Sequence, residues 1–392
     1  MGMQAKRLRD ICPPMEQLTM DKIPLTRPYF DQEELDEIKK VLDSGWVAQG
    51  PKVKEFEGMV AGYLGVRHAV AVTNCTAALH LALLALDIGP GDEVLVADYT
   101  FPATGHAVLY CGARPVFVDI DPRTYNIDPG LIEEKITSKT RAIIPVHTFG
   151  QPAAMDAILQ IANDHNLAVV EDAACALGAR YRGRCAGTMG DVGCFSFHAR
   201  KGITTGEGGM LVTDRDDIAA KARHLAVFGM TAAWDREQSD RLVIPRFTDV
   251  GYNYKMSDIT AAVGVAQMRR LDTFIERRRE LAQIWDTHLD DIAGITKPYI
   301  DPSVSPVYQS YVATVDPGID RDWLIETLIN EGIQTQIGTY ASHIQPVYRS
   351  QERCSRSLDI YCRAIALPLY VNLRYEEIDA VAQILERILG AL

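Results

Sequence analysis

Short apolar runs alternate with longer apolar or amphipathic segments up to residue 213. The short runs are five or six residues long and rich in Val, Ile and Leu, as buried strands are. We predict strands at residues 68–73, Glu93–Ala97, 115–119, 141–146, 167–171, 192–197 and Gly209–Thr213. The segments between them predict helices at residues 76–86, 103–111 and 155–163. Alternating strands and helices form βαβ units, so we expect an α/β fold with a parallel sheet covered on both faces.

The pattern changes near residue 251, where longer helical segments begin. We predict helices at residues 257–270, 272–289, 321–331 and 376–389 and a strand at residues 308–315. This α+β pattern indicates a smaller C-terminal domain. We therefore expect an N-terminal arm at residues 1–30, a large α/β domain at residues 31–250 and a small α+β domain at residues 251–392.

Two segments predict helices at the protein surface. Residues 31–43 place Leu35, Ile38 and Leu42 on one helical face, which is typical of an amphipathic helix. The most basic run alternates with acidic residues at helical spacing, which predicts a solvated helix face, with a patch that binds a diphosphate as the alternative. The arginines of this run are Arg269, Arg270, Arg277, Arg278 and Arg279.

Composition narrows the function classes. The chain has 392 residues, 47% of them hydrophobic, and a formal net charge of −12, which argues against a nucleic-acid partner. No window approaches 18 continuous apolar residues, and the N-terminal segment has no apolar core, so we expect neither a membrane span nor a secretory signal. The eight cysteines are scattered without a C-x-x-C pair, so we expect a cytoplasmic protein without a metal cluster or disulfide scaffold.

Reactive residues follow several of the predicted strands. In open α/β sheets, ligands bind at the carboxyl ends of the strands, so these residues are candidates for one site. The predicted helix after the first strand begins with backbone N–H groups that have no partner within the helix, and such groups favour an anion there. The candidates are Asn74, Cys75, Thr76, Phe101, Asp172, Ser196, His198 and Lys201.

Together these residue types match the needs of pyridoxal phosphate (PLP). That cofactor requires a lysine for a Schiff base, a carboxylate for its ring nitrogen, a phosphate cup and a stacking surface. Each residue also has a purely structural interpretation. Asp172 and Thr76 are suitable helix caps, Phe101 is a suitable core residue and Lys201 a suitable surface residue.

The longest recognisable motif is Phe195-Ser-Phe-His-Ala-Arg-Lys-Gly-Ile-Thr-Thr-Gly-Glu-Gly-Gly209. It closely resembles the lysine motif of the DegT/StrS family of sugar aminotransferases. The resemblance extends from about Pro24 to the C-terminus. Further blocks support it in the same order, namely Ser44-Gly-Trp46, Asn74-Cys-Thr-Ala-Ala-Leu79, Gly89-Pro-Gly-Asp-Glu-Val94, Tyr99-Thr-Phe101, Pro145-Val-His147, Glu171-Asp-Ala-Ala174 and Gly251-Tyr-Asn-Tyr-Lys-Met256.

The resemblance implies a fold-type I PLP enzyme with a mixed, mostly parallel sheet, working as a homodimer whose active sites contain both subunits. Lys201 would form the internal aldimine and shuttle the proton, with its amine pKa lowered near the cofactor. Asp172 would pair with the pyridine nitrogen, and Phe101 would stack on the ring. The phosphate would be bound by Cys75, Thr76, Ser196 and, from the neighbouring subunit, Asn253.

Two cysteines depart from the commoner family pattern. Cys75 stands where Gly or Ser is frequent, a change that preserves a backbone N–H contact with the phosphate. Cys175 stands where His or Gln is frequent near the ring edge, and a thiol donates only weak hydrogen bonds. Trp46, His198 and His343 are candidates for sugar contacts, and for His343 a structural role is an equal alternative.

The implied reaction moves an amino group from glutamate or glutamine to a keto-sugar, with pyridoxamine phosphate (PMP) as the intermediate form. In this family the acceptor is usually a nucleotide-linked 4-keto or 3-keto hexose. A keto-cyclitol acceptor is the first alternative. A PMP-dependent sugar dehydratase is another, although that branch replaces the lysine with histidine. A non-catalytic regulatory protein on the same fold is the last, and Lys201 and Asp172 argue against it.

Overall fold

The computed structural model of the protein describes residues 22–231 and 242–391. Helices of the described residues are α1 (Gln32–Ser44), α2 (Pro51–Leu64), α3 (Cys75–Ala85), α4 (Ala103–Tyr110), α5 (Met155–Asp164), α6 (Asp216–Ala226), α7 (Asp258–Met268), α8 (Leu271–Asp290), α9 (Arg321–Asn330), α10 (Ser355–Arg363) and α11 (Tyr375–Leu389). The strands are β1 (His68–Val72), β2 (Glu93–Ala97), β3 (Tyr99–Thr100), β4 (Arg114–Val118), β5 (Thr140–Ile144), β6 (Ala168–Asp172), β7 (Arg180–Tyr181), β8 (Arg184–Cys185), β9 (Val192–Ser196), β10 (Gly209–Thr213), β11 (Ile295–Thr296), β12 (Val304–Ser305), β13 (Tyr311–Val315), β14 (Gln336–Ile337), β15 (Tyr340–Ala341) and β16 (Ala364–Leu367). None of these helices is both long and apolar enough to cross a membrane.

The central sheet has seven strands in the order β1-β10-β9-β6-β5-β2-β4. Only β10 runs against the others, between β1 and β9. A parallel return from β9 would need a crossover that is usually helical, whereas the connection of residues 197–208 is glycine-rich and contains no helix. The seven predicted strands and the three predicted helices of this region are confirmed within two residues at each end.

Helices cover both faces of this sheet. On one face, Leu83 of α3 packs in a buried cluster with Leu211 of β10. On the other face, Phe195 of β9 packs with Phe56 of α2 and Val265 of α7. The strands are buried on both sides, which explains their continuous apolar runs.

The C-terminal residues build a second sheet of four strands, in the order β11-β13-β16-β14. Trp285 of α8 and Leu385 of α11 pack with Tyr311 of this sheet in a separate buried cluster. The predicted C-terminal helices and strand are present as α7, α8, α9, α11 and β13. The domain boundary at residue 250 stays a prediction, and α7 packs against α1 and α2 of the larger unit.

The leucine face of the predicted amphipathic helix α1 is not buried against the rest of the chain. Leu35 and Leu42 are 54% and 57% exposed, whereas Glu34 and Glu37 are buried. Glu34 accepts a hydrogen bond from Arg270, and Glu37 accepts one of 2.6 Å from Lys52. Because basic partners from other elements satisfy these carboxylates, the acidic face of α1 packs inward and its leucines point to solvent.

The predicted solvated face of the arginine run is wrong for Arg278, although Arg269 and the acidic residues Asp272, Glu276 and Glu280 are exposed. Arg278 is 3% exposed and donates hydrogen bonds to the carbonyl oxygens of Tyr308, Gln309 and Leu369. Burial lowers the pKa of its guanidinium to about 10. Arg277 donates to the carbonyl oxygens of residues 371 and 373. These two arginines of α8 satisfy loop carbonyls, and neither provides a surface for a diphosphate.

Candidate active site

The start of helix α3 lies at the carboxyl end of β1. Asn74 caps the helix by accepting a 2.8 Å hydrogen bond from the backbone N–H of Ala77. Within the described residues, the N–H groups of Cys75 and Thr76 have no protein acceptor. A Cβ at Gly209 would lie 2.3 Å from the carbonyl carbon of Asn74, so only glycine lets β10 approach this closely. The helix start therefore presents free N–H groups beside the sheet, as an oxyanion site requires.

Asp172 ends strand β6 and is 5% exposed. Its Oδ2 accepts a 2.7 Å hydrogen bond from the Thr104 hydroxyl, and its Oδ1 accepts one of 3.1 Å from the Ala174 N–H. Burial raises the pKa of the Asp172 carboxyl, although both hydrogen bonds, Lys201 and His147 act in the opposite direction. The carboxylate is therefore held in one orientation, and a cationic partner would stabilise its charged form.

Lys201 follows β9 on the short connection to β10. Its backbone N–H closes a turn with the carbonyl of His198 at 2.9 Å, and Ser196 pairs with Gly209 across the two strands. The Lys201 Nζ lies 3.1 Å from the Cys175 Sγ. Burial opposes the charged amine, but Cys175, Cys75 and Asp172 outweigh it and raise its pKa. The neighbouring protein groups alone therefore raise the pKa of the Lys201 amine, whereas we expected this pKa to be lowered near the cofactor.

These residues line one cavity of about 990 Å³ at the carboxyl edge of the sheet. Phe101 is 64% exposed, and its ring meets that of Tyr340 edge-on at 6.2 Å. The cavity brings together most of the predicted site residues, namely Cys75, Thr76, Phe101, Asp172, Cys175, Ser196, His198 and Lys201.

Three predicted site residues do not line this cavity. Asn253 is exposed and accepts a hydrogen bond from Lys255. Trp46 is 38% exposed and donates to the carbonyl of Gln49 at 3.0 Å. His343 lies 2.7 Å from the Asp98 carboxylate through Nδ1, a contact that raises its pKa. For His343 the geometry favours the structural alternative.

A sequence profile of the DegT/DnrJ/EryC1/StrS aminotransferase family matches residues 28–386. The chain belongs to this family. GDP-perosamine synthase from Caulobacter vibrioides is 40% identical over 376 residues, which cover 94% of this chain and 99% of that protein. The predicted family is therefore confirmed.

Solved structures of family members agree with the fold. The putative sugar aminotransferase Spr1654 from Streptococcus pneumoniae, in PLP and PMP forms, is 27% identical and has a TM-score of 0.88 over 94% of this chain and 99% and 98% of those chains. DesI, solved with its TDP-sugar product, is 34% identical, with a TM-score of 0.85 over 94% of this chain and 93% of that one. The fold is thus type I, and the chain is a PLP-dependent sugar aminotransferase.

The family's cofactor fits the residues present. The cavity offers a buried carboxylate, an amine, an exposed aromatic ring and a helix start whose N–H groups have no protein acceptor. These are the groups that PLP needs for its ring nitrogen, aldehyde, ring face and phosphate. Asp98, His343 and Cys354 also place potential metal ligands within 4.8 Å of one another, but the first two bond each other. The absence of a metal site stays a prediction.

Some residues of this site were given no role on the basis of the sequence. Thr104 binds Asp172, and Tyr254, Gln309 and Gln336 line the cavity. Thr104 stands in the segment that follows β2, at the same sheet edge as Phe101 and Asp172, so its position after a strand was a usable signal. The glutamines come from the C-terminal part of the chain, where no strand-end rule applies.

Proposed function

We propose that the protein transfers an amino group from glutamate or glutamine to a nucleotide-linked keto-sugar, a 4-keto or 3-keto deoxyhexose. The observation that carries this proposal is the placement of the Lys201 amine and the buried Asp172 carboxylate on the wall of one cavity of about 990 Å³. That volume has room for a cofactor and a second large ligand. A nucleotide-linked acceptor is supported by the names of GDP-perosamine synthase and of DesI with its TDP-sugar product.

Asp172 would hold the protonated ring nitrogen of the cofactor by charge and hydrogen bonding. When bound, PLP supplies an electron sink for the bond that breaks at the substrate carbon. The Thr104 and Ala174 donors fix the carboxylate before any ligand arrives. Each donor restrains one oxygen, so little reorientation is needed on binding.

Lys201 would hold the cofactor covalently and then move the proton at the reacting carbon. Its neighbour Cys175 is placed to accept a hydrogen bond from the amine at 3.1 Å. The start of α3, with Cys75 and Thr76, would bind the phosphate through backbone N–H groups, joined by Ser196. Phe101 would cover the ring face, and His198 would contact the sugar.

We also propose that the protein works as a homodimer with shared sites. Asn253 lies outside the cavity of its own chain, which supports a role in the site of a second copy. Leu35 and Leu42 expose an apolar stripe on α1, and Trp46 and Val47 extend it at 38% and 44% exposure. Clustered large apolar side chains at a surface are typical of an interface.

The test supplies glutamate or glutamine labelled with ¹⁵N at the α-amino nitrogen to the PLP-loaded enzyme. A panel of keto acceptors is offered with each donor: nucleotide-linked 4-keto and 3-keto hexoses and free keto-cyclitols. We expect labelled amino-sugar nucleotide by mass spectrometry with at least one nucleotide-linked acceptor. Lys201→Ala, the matched control, should form none. Labelling of the keto-cyclitols alone would contradict the proposed acceptor class.

A further inference from the structure

Arg200 is an exposed cation on the cavity wall, directly before Lys201 in the chain. Its Nη1 donates a 2.7 Å hydrogen bond to the side-chain oxygen of Gln336. Its carbonyl accepts one of 2.8 Å from Gln309, and its backbone N–H donates to the His198 Nδ1 at 3.2 Å. The backbone is thus held at two points, while among residues 22–231 and 242–391 the guanidinium has a neutral side-chain partner, Gln336.

Charges on the cavity wall are few. The acidic and basic side chains that line the cavity are those of Asp172, His198, Arg200, Lys201 and Glu207. Asp172 and Lys201 have the cofactor roles proposed above, and Glu207 lies 3.7 Å from His198. No carboxylate of the described residues forms an ion pair with Arg200, although most arginines in that part of the chain have such a partner. Among these lining residues, Arg200 is therefore the one whose permanent positive charge is left for a ligand.

The protein as a whole repels anions electrostatically, because its formal net charge is −12. A nucleotide-linked sugar carries a diphosphate that must still be bound within this field. An arginine fork matches phosphate oxygens and is the side chain best suited to them. A neutral glutamine partner orients the fork through one nitrogen without cancelling its charge.

We propose that Arg200, oriented by Gln336, binds the diphosphate of the sugar substrate; this rests on the proposed nucleotide-linked acceptor. The reacting sugar carbon must reach the Lys201 amine. A hexose ring separates that carbon from the diphosphate, which must therefore lie nearer to solvent, where Arg200 is exposed. The α-carboxylate of an amino donor, in contrast, is attached to the reacting carbon itself.

The first test measures binding rather than turnover. Calorimetry with the PLP-loaded protein would use GDP, TDP and the phosphate-free nucleosides guanosine and thymidine as probes. Arg200→Gln should weaken binding of the preferred diphosphate by about 10- to 100-fold and leave nucleoside binding unchanged. Gln336→Glu should weaken it similarly, because a carboxylate would neutralise the guanidinium.

Arg387→Gln is the matched control, since it removes the same charge from α11, where Arg387 pairs with Glu331 at 2.9 Å outside the cavity. This variant should bind as the wild type does. Wild-type affinity in Arg200→Gln would overturn the proposal. An equal loss in Arg387→Gln would also overturn it, because the effect would then come from net charge alone.

The second test separates the two half-reactions. Arg200→Gln should raise KM for the nucleotide-linked keto-sugar about tenfold or more, with the donor half-reaction unchanged. Arg200→Lys should recover part of the loss. A defect confined to the donor half-reaction would assign Arg200 to the donor carboxylate and contradict our proposal. If the wild type aminates no nucleotide-linked sugar, the proposed function fails, and the calorimetry still judges Arg200 as a diphosphate ligand.

Discussion

Thr104 donates a 2.7 Å hydrogen bond to the Oδ2 of Asp172, and both side chains are buried. The hydroxyl of Thr100 lies 2.9 Å from that of Thr104. Thr100 belongs to β3, which pairs with the Tyr340 strand β15 from the C-terminal part of the chain. The hydroxyl that orients the carboxylate is therefore that of Thr104, and its neighbour Thr100 ties this region to the C-terminal part of the chain without touching Asp172.

Removing the Thr104 hydroxyl should loosen this carboxylate. We expect Thr104→Val to keep the fold and to weaken PLP binding or slow the donor half-reaction by roughly tenfold, because Asp172 loses one of its donors. Thr100→Val is the matched control, since it leaves the Thr104–Asp172 bond in place. Equilibrium binding and single-turnover kinetics measure both variants. Equal effects of the two substitutions would argue against a specific role for Thr104.

Asn253 should act in the site of the neighbouring subunit. Lys201→Ala and Asn253→Ala should each lose most activity as homodimers, because each site lacks one residue. Mixing the two variants should restore activity, since a hybrid dimer contains one site with both residues intact. Recovery should approach a quarter of wild-type activity per subunit when equal amounts exchange freely, a rough statistical value. Persistent inactivity in a mixture shown by mass to contain hybrids would exclude shared sites.

The exposed face of α1 should be buried by self-association. We expect the double substitution Leu35→Lys and Leu42→Lys to weaken dimerisation at least about tenfold, because charges would enter an apolar interface. Ile329→Lys is the control, since Ile329 is 45% exposed on α9, away from that stripe. Sedimentation equilibrium measures both. A wild-type monomer, or unchanged association of the double variant, would show that this face has another role.

The Asp98–His343 pair should make stability depend on pH. The hydrogen bond to Asp98 raises the pKa of His343 above 6.5, so its folded state binds a proton more tightly than its unfolded state. Its contribution is therefore complete below pH 6.5 and is lost as the pH rises through the raised value. His343→Asn should cost roughly 1.5–3 kcal/mol of unfolding free energy at pH 6 and clearly less at pH 9.

Chemical denaturation at the two pH values measures this difference. His165→Asn is the control, because His165 is an exposed histidine 3.4 Å from Glu133. It should change stability by less than about 0.5 kcal/mol at either pH. A cost for His343→Asn that is equal at both pH values would show that the pair contributes through packing and not through charge.

The sheet was predictable because its strands are buried on both faces and each leaves a continuous apolar run. Strands β2 and β10 have the bounds expected from their Val- and Leu-rich runs. Helices α2, α6 and α10 received no prediction. In α2, Val53, Phe56 and Val60 do recur at helical spacing, so that helix was within reach of the sequence.

The orientation of α1 was not predictable in the same way. Glu34 and Glu37 are buried because Arg270 and Arg269 reach them from more than 230 positions away in the chain. The pattern of hydrophobic residues within a helix does not reveal partners that are so distant in the chain. It assigns leucines to the core by default, although in this protein the stripe faces solvent and would be covered only by another molecule.

The site was predictable at the ends of strands and less so elsewhere. Asp172 and Lys201 stand where parallel-sheet topology places reactive groups, and both line the cavity. The Thr104–Asp172 bond joins residues 68 positions apart, and Gln336 meets Arg200 over 136 positions. Such contacts depend on how loops fold over the sheet edge, which strand periodicity does not encode.

The most direct measurement asks which lysine holds the cofactor. The PLP-loaded protein is reduced with borohydride and digested, and the peptide masses are compared with those of a Lys201→Ala control. We predict one phosphopyridoxyl adduct, on Lys201, that is absent from the control and depleted when the donor is added before reduction. An adduct on another lysine, or none on Lys201 in protein that still transfers amino groups, would contradict the central role of this residue.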